Sequence, residues 1–211
     1  MKKIKSFDIL LWIICIVFIG LYFTLPDNIP THWNLNWDID GYGHRSCFLV
    51  LCFLPIICYY GMIFTKKVDP RRKNLEKRID NYEFMRRLLA MFFILLTILY
   101  YYMIKHPNKD YTVIVMIMMG SLFIQIGNEL PRIPQNYYLG IKTAYTLDNE
   151  YVWNHTHRLG GYLFCISGMI IIISGFAITQ YSFYIMMICL FSSIIILYIY
   201  SYQLHKKTGG L

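Results

Sequence analysis

Six apolar segments, near residues 7–25, 47–65, 88–104, 111–126, 159–178 and 183–204, set the limits on what this chain can become. Each approaches the roughly 20 residues that an α-helix needs to cross a hydrocarbon core about 30 Å thick. The segment at 111–126 is the shortest and must stand nearly upright or borrow flanking residues. Composition agrees with the pattern: 57% of the residues are hydrophobic and 15% charged, against roughly 45–50% and 25% in soluble domains. A soluble fold of this size cannot hide that much apolar surface. The expected fold class is therefore all-α, a polytopic protein of the cell membrane with six transmembrane helices.

The first segment follows Lys2, Lys3 and Lys5 and so has the outline of a signal peptide. Its apolar run is too long for one, and Leu25-Pro26-Asp27 offers no small-residue cleavage site, so a retained first helix is expected. Basic residues then predict the orientation. Seventeen of the twenty Lys and Arg fall at the N-terminus, in the second and fourth loops and in the tail, leaving Arg45, Lys105 and Lys109 on the other side. By the positive-inside rule both termini face the cytoplasm. The net charge of +8 then lies mainly against anionic headgroups. Membrane lipid is thus a partner, and no direct nucleic-acid partner is expected. The six cysteines form no Cys-x-x-Cys pair and mostly sit in apolar spans, where Cys behaves as a small hydrophobe. No disulfide framework, metal site or cofactor is expected.

Three parts follow from this layout: residues 1–65, a first helix pair with its connecting loop; 66–110, a basic helix continuing into span three; and 111–211, spans four to six. In the second part, Asp69 before Pro70 is a helix-start signal, an N-cap with Pro at the first helical position. A continuous helix from Pro70 to Ile104 would be about 52 Å long, with roughly 20 Å of it projecting from the membrane.

Two polar inserts interrupt the apolar pattern. The first, residues 26–46, contains two prolines and Gly41-Tyr42-Gly43, which deny it a regular helix, while Trp33, Trp37 and Tyr42 are suited to the membrane interface. His32, His44, Asp27, Asp38 and Asp40 are metal-capable side chains, but nothing fixes a ligand spacing among them. The second insert, residues 130–161, is punctuated by Pro131, Pro134 and Gly140 and carries Tyr137, Tyr138, Tyr145 and Trp153. The prolines should end span four. Asp148 is placed to cap a short helix holding Glu150, Trp153 and His157. Non-helical backbone near a membrane must be satisfied by protein groups or cavity water, and Asn128, Asn136, Thr143, Thr146 and Arg158 can supply partners, which suggests a compact plug. Arg158 is expected to be its pivot, with Glu129 or Glu150 as the opposite charge. Beyond it, Gly161, Gly168 and Gly175 recur every seven residues, a spacing that lets helix backbones approach closely and makes span five central.

The second insert also carries a family resemblance. Gly127, Asn128, Pro131, Asn136, Tyr137, Gly140-Ile141-Lys142-Thr143-Ala144-Tyr145-Thr146-Leu147, Glu150, Val152-Trp153, Thr156-His157-Arg158 and Gly160-Gly161 are similar to the signature of the SdpI family. Lys142, Ala144 and Tyr145 replace the usual Arg, Pro and Trp, and Lys142 keeps the charge without the planar fork. Leu25-Pro26, Ile29-Pro30, His32-Trp33-Asn34 and Asp40-Gly41-Tyr42 resemble a module often found N-terminal to that signature, with Trp37 where a Gly is usual. The resemblance implies a membrane immunity protein that meets a secreted antimicrobial peptide toxin outside the cell, and also sequesters an ArsR-type repressor at the inner face. On that basis Pro30, His32, Trp33, Asn34, Asp40, Gly41 and Tyr42 are the expected external binding residues. Asn128, Glu129, Pro134, Asn136, Gly140, Lys142, Thr143, Thr146, Glu150, Trp153, Thr156, His157 and Arg158 are the expected inner signature residues.

Two other classes bear on the same residues. A small-molecule or peptide transporter usually carries ionisable residues inside its spans, and these spans have almost none away from their ends. An enzyme would have Glu129, Glu150, His155 and His157 to work with, but His155-Thr-His157 lacks the four-residue spacing of a helical zinc pair. No catalytic residue is assigned.

Overall fold

The computed structural model describes residues 6–34 and 38–209, so Lys2, Lys3, Lys5 and Trp37 lie outside the described residues. The elements are α1 (Ser6–Tyr22), β1 (Asn28–Trp33), β2 (Ile39–His44), α2 (Cys47–Val68), α3 (Arg72–Glu76), α4 (Ile79–Lys105), α5 (Thr112–Glu129), α6 (Ala144–Asp148), α7 (Glu150–Ala177) and α8 (Ser182–Lys207), with 3-10 turns at Leu130–Arg132 and Thr179–Tyr181. The protein is an all-α polytopic membrane protein with one small hairpin. Among the described residues five helices are long and apolar enough to cross a membrane, and α1, at 17 residues, is shorter.

The chain forms two compact units, whose boundaries fall within α2 and α4. The first comprises Met1–Ile63 and Arg86–Tyr111. Its core gathers Leu11, Phe18, Phe48, Tyr59 and Ile94. One buried cation belongs to it: the Arg86 guanidinium lies 3.9 Å over the Tyr59 ring and donates to the Tyr59 hydroxyl at 2.9 Å. A charge inside an apolar helix is costly unless its donors and its face are both met, and Tyr59 meets one of each.

The second unit comprises Phe64–Met85 and Thr112–Leu211. Its frame is α5 against α7 against α8. The expected glycine stripe sits at the α5–α7 contact. A Cβ on Gly168 would lie 2.5 Å from the Gly120 carbonyl oxygen, one on Gly161 2.8 Å from the Gly127 carbonyl oxygen, and one on Gly175 2.7 Å from Met116 Cβ. The stripe therefore has a matching pair on α5, Gly120 and Gly127, again seven apart. Close packing of bare backbone is a main source of helix association in lipid, and it makes α7 the centre of this unit.

Two expectations fail. No continuous helix runs from Pro70 to Ile104, because α3 is a five-residue helix followed by a tight turn at Lys77 and Arg78 before α4 begins. The cause is lateral anchoring, since Asp69, Arg71 and Asn74 are each bonded to the 135–147 region. Asp148 caps no helix; Asn149 caps α7 by accepting from the Tyr151 and Val152 N–H groups, and α7 runs unbroken as one 28-residue helix. The insert at 26–46, expected only to avoid a regular helix, forms a β-hairpin.

Candidate functional site

The signature of residues 127–161 is built around buried polar side chains that serve the backbone. Asn136 is fully buried. Its amide nitrogen donates to the Pro134 and Leu139 carbonyls at 2.8 Å, and its oxygen accepts from the Tyr138 and Leu139 N–H groups at 2.9 and 2.7 Å. One side chain thereby closes the whole 134–139 turn. Gln135 donates to the Thr146 and Leu147 carbonyls. Thr143 and Thr146 form a reciprocal capping box on α6, and the Thr143 hydroxyl also reaches Ser201 on α8 at 3.1 Å. Non-helical backbone near lipid needs such partners, and here they are side chains of the same segment.

Trp153 and His157 stand one turn apart on α7, with rings 4.0 Å apart and nearly parallel. The indole N–H donates to the Ile133 carbonyl at 2.8 Å. His157 Nδ1 faces the Trp153 carbonyl and Nε2 accepts from the Ile141 N–H, both at 2.9 Å. An Nε2 that accepts fixes the neutral tautomer with its proton on Nδ1. Gly140 has φ +112, and a Cβ there would run into His157 Nε2, so only glycine fits this approach. These groups account for Asn136, Gly140, Thr143, Thr146, Trp153 and His157 together.

The other signature residues behave differently. Glu129 is buried, and its carboxylate accepts from Asn81 and pairs with Arg132, each at 2.7 Å. Arg158 is exposed, as is Glu150. The expected buried pivot at Arg158 therefore does not form. Successive helical residues point about 100° apart, and with His157 turned inward its successor faces out. Lys142 is exposed and donates to the Tyr138 carbonyl at 3.1 Å. Asn128 is exposed and accepts a weak bond from the Cys165 thiol at 3.5 Å. Pro134 lends its carbonyl to Asn136. Thr156 is buried with no hydrogen-bond partner for its hydroxyl among the described residues.

Sequence reasoning missed several residues of this site. Asp69 is 2% exposed, and its two carboxylate oxygens accept from the Arg71 N–H at 2.6 Å and the Tyr137 N–H at 3.0 Å. Arg71 donates to the Leu147 carbonyl at 3.0 Å and lies 4.9 Å over the Tyr137 ring. Asp148 is bonded to His205 at 2.8 Å near the end of α8. The Asp-Pro dipeptide at 69–70 marked Asp69 as a turn residue, but no local signal pairs it with position 137 or Asn81 with position 129.

The hairpin belongs to the first unit. Asn28, Ile29, Pro30, His32 and Trp33 of β1 face His44, Gly43, Tyr42, Gly41 and Ile39 of β2, with register shifts on either side of His32. Ile29 and Pro30 are buried, and the Pro30 carbonyl accepts the Tyr100 hydroxyl at 2.6 Å. Trp33 meets the Tyr100 ring edge-on. His32 Nδ1 and Asp40 are 2.5 Å apart, and Asn34 holds Asp38 through main chain and side chain. Gly41 lies so close to His32 that a Cβ would sit 2.8 Å from the His32 Cβ. Asp40, Tyr42 and His44 are exposed in alternation along β2. Among the described residues no three His, Cys, Asp or Glu side chains gather as a metal site; His44 pairs with Ser46.

These features define a multi-pass helical membrane protein with a polar plug on one helix set and a solvated hairpin on the other. The SdpI/YfhL protein family model matches residues 132–201, and a domain of unknown function (DUF1648) matches residues 9–58. The immunity protein SdpI of Bacillus subtilis (strain 168) is 26% identical over 203 residues, covering 94% of this chain and 95% of that protein. No solved structure matches. Over residues 132–201 the chain is similar to the SdpI/YfhL family, and it resides in the cell membrane.

Proposed function

We propose that this protein is a membrane immunity protein that protects its cell from a secreted antimicrobial peptide by binding it, without cleaving it. The observation that carries the reading is the similarity to an immunity protein along nearly the full length of both chains. The hairpin supports it as the contact, being the insert whose polar groups point away from the core. In this reading six spans place both termini in the cytoplasm and residues 26–46 outside, on the strength of the seventeen-to-three basic asymmetry.

Expression in a sensitive strain, challenged with the peptide purified from the medium of the strain that encodes this chain, tests the proposal. Survival with intact peptide by mass spectrometry is expected, and survival with cleavage products would overturn the binding mechanism. In a cysteine-free background, a thiol at Asn28 should label from outside and one at Lys73 only after permeabilisation; the reverse pattern would invert the orientation.

The same reading gives the inner segments 66–87 and 130–158 a second role, docking an ArsR-type repressor. Arg72, Lys73, Lys77 and Arg78 are exposed there. Membranes from challenged cells should then retain the repressor, and a charge reversal at Lys73 and Lys77 should release it.

A further inference from the structure

The two edges of the hairpin are not equivalent. In an antiparallel ladder, residue pairs alternate between those that exchange hydrogen bonds and those whose N–H and C=O point away from the partner strand. The Arg45 N–H donates to the Asp27 carbonyl at 2.8 Å. With the register Asn28↔His44, Ile29↔Gly43 and Pro30↔Tyr42, alternation makes Ile29↔Gly43 a bonded pair and the other two non-bonded. Pro30 fits that assignment, having no N–H to offer. Its outward carbonyl is taken by Tyr100, and Ile29 and Pro30 are buried, so the outer edge of β1 is closed at its centre. On β2 the N–H and C=O of Tyr42 and His44 point outward, and no other element bonds them among the described residues. Tyr42 is 67% exposed.

An open edge is a template for another strand, and natural proteins blunt such edges with Lys or Pro. The β2 sequence Ile39-Asp40-Gly41-Tyr42-Gly43-His44 has neither. Its charge is also distinctive. Residues 26–46 hold Asp27, Asp38 and Asp40 against Arg45, a net −2 in a chain of +8. Arg45 is engaged with Asp27 at 3.4 Å and Asp40 with His32, which leaves Asp38, held by the neutral Asn34, to choose a cationic strand.

We propose that β2 is a docking edge on which an extended, cationic segment of the secreted peptide adds as a third strand. Backbone groups of Tyr42 and His44 supply the pairing, and Asp38 supplies the opposite charge. This inference rests on the immunity reading and goes further by naming the binding mode.

The test uses the full-length protein in detergent with the purified secreted peptide. Peptide binding should slow amide exchange at Tyr42 and His44. Tyr42→Pro deletes an N–H that β1 does not use, so the hairpin should keep its thermal midpoint while affinity falls about tenfold, the loss of one hydrogen bond. Tyr42→Val keeps the backbone and should bind within about threefold of the parent, less than one hydrogen bond. Asp38→Lys should weaken binding at low salt more than at high salt. Equal binding by the parent and Tyr42→Pro would overturn the strand-addition mode while leaving immunity standing. Slow exchange at Tyr42 in peptide-free protein, with cross-linked dimers, would assign the edge to a second copy and also overturn it. Failure of the parent protein to bind or protect would overturn the immunity reading and this inference with it.

Discussion

The hairpin and the signature are both polar inserts between apolar helices, yet they use their hydrogen-bonding capacity in opposite ways. In the signature, Asn136, Thr146, Trp153 and His157 are nearly or fully buried, and each is bonded to backbone of the same unit. Little is left over for a ligand. In the hairpin, β1 is closed at Pro30 by Tyr100, while β2 keeps exposed side chains and, among the described residues, unfilled backbone groups. The lesson is that a dense run of unusual residues can mark a built structure, and the sparser insert can be the one that meets a partner.

The comparison breaks most readily at Gly140. Gly140→Ala combines a positive φ with a Cβ on His157 and 3.1 Å from Trp153. It should lower stability by about 3 kcal/mol, strain and overpacking together, read as a fall in thermal midpoint in detergent. Cell protection should fall only in proportion to folded protein. If protection vanished while the protein stayed folded, the signature would be a contact surface and the contrast drawn here would collapse.

Asn136→Ala comes next. It strands two half-buried carbonyls and two N–H groups of the 134–139 turn, at a cost of about 2 kcal/mol. Asn136→Asp keeps the acceptor oxygen but turns the amide donor into a second acceptor facing two carbonyls, so it should rescue nothing. A rescue would mean that the donor bonds to Pro134 and Leu139 do not hold the turn.

Arg158 gives the smallest expected effect. Its side chain is exposed and Glu129 already has Asn81 and Arg132, so Arg158→Ala should cost less than about 0.5 kcal/mol. Arg158→Lys should be indistinguishable from the parent. A loss of protection in the alanine protein at normal stability would single out Arg158 as a contact of the partner at its own face.

These expectations also mark how far the sequence reaches. Segment lengths gave the helices, Pro131 and Pro134 gave the end of α5, and the seven-residue glycine period gave the packing face of α7, because all three are local patterns with local causes. The buried signature core was legible as a set of partners, though its pivot was not. Arg158 drew attention as a charge near lipid, but helix phase, read from His157, turns it outward. Asp69 and Asn81 could not be assigned because their partners lie 68 and 48 residues away, and no local propensity encodes such a distance. The hairpin escaped notice because Pro30, Gly41 and Gly43 read as breakers. A two-stranded ribbon consists of edges, where Pro is tolerated and Gly permits close approach.

The central claim, that the hairpin and not the signature meets the secreted peptide, is tested most directly by a photo-cross-linking amino acid placed at one exposed tyrosine of each region. Tyr42 and Tyr138 are 67% and 43% exposed, so either position should accept the probe without unfolding. In living cells challenged with the peptide and illuminated, the account predicts a peptide adduct at position 42 and none at 138. An adduct at 138 with none at 42 would contradict it.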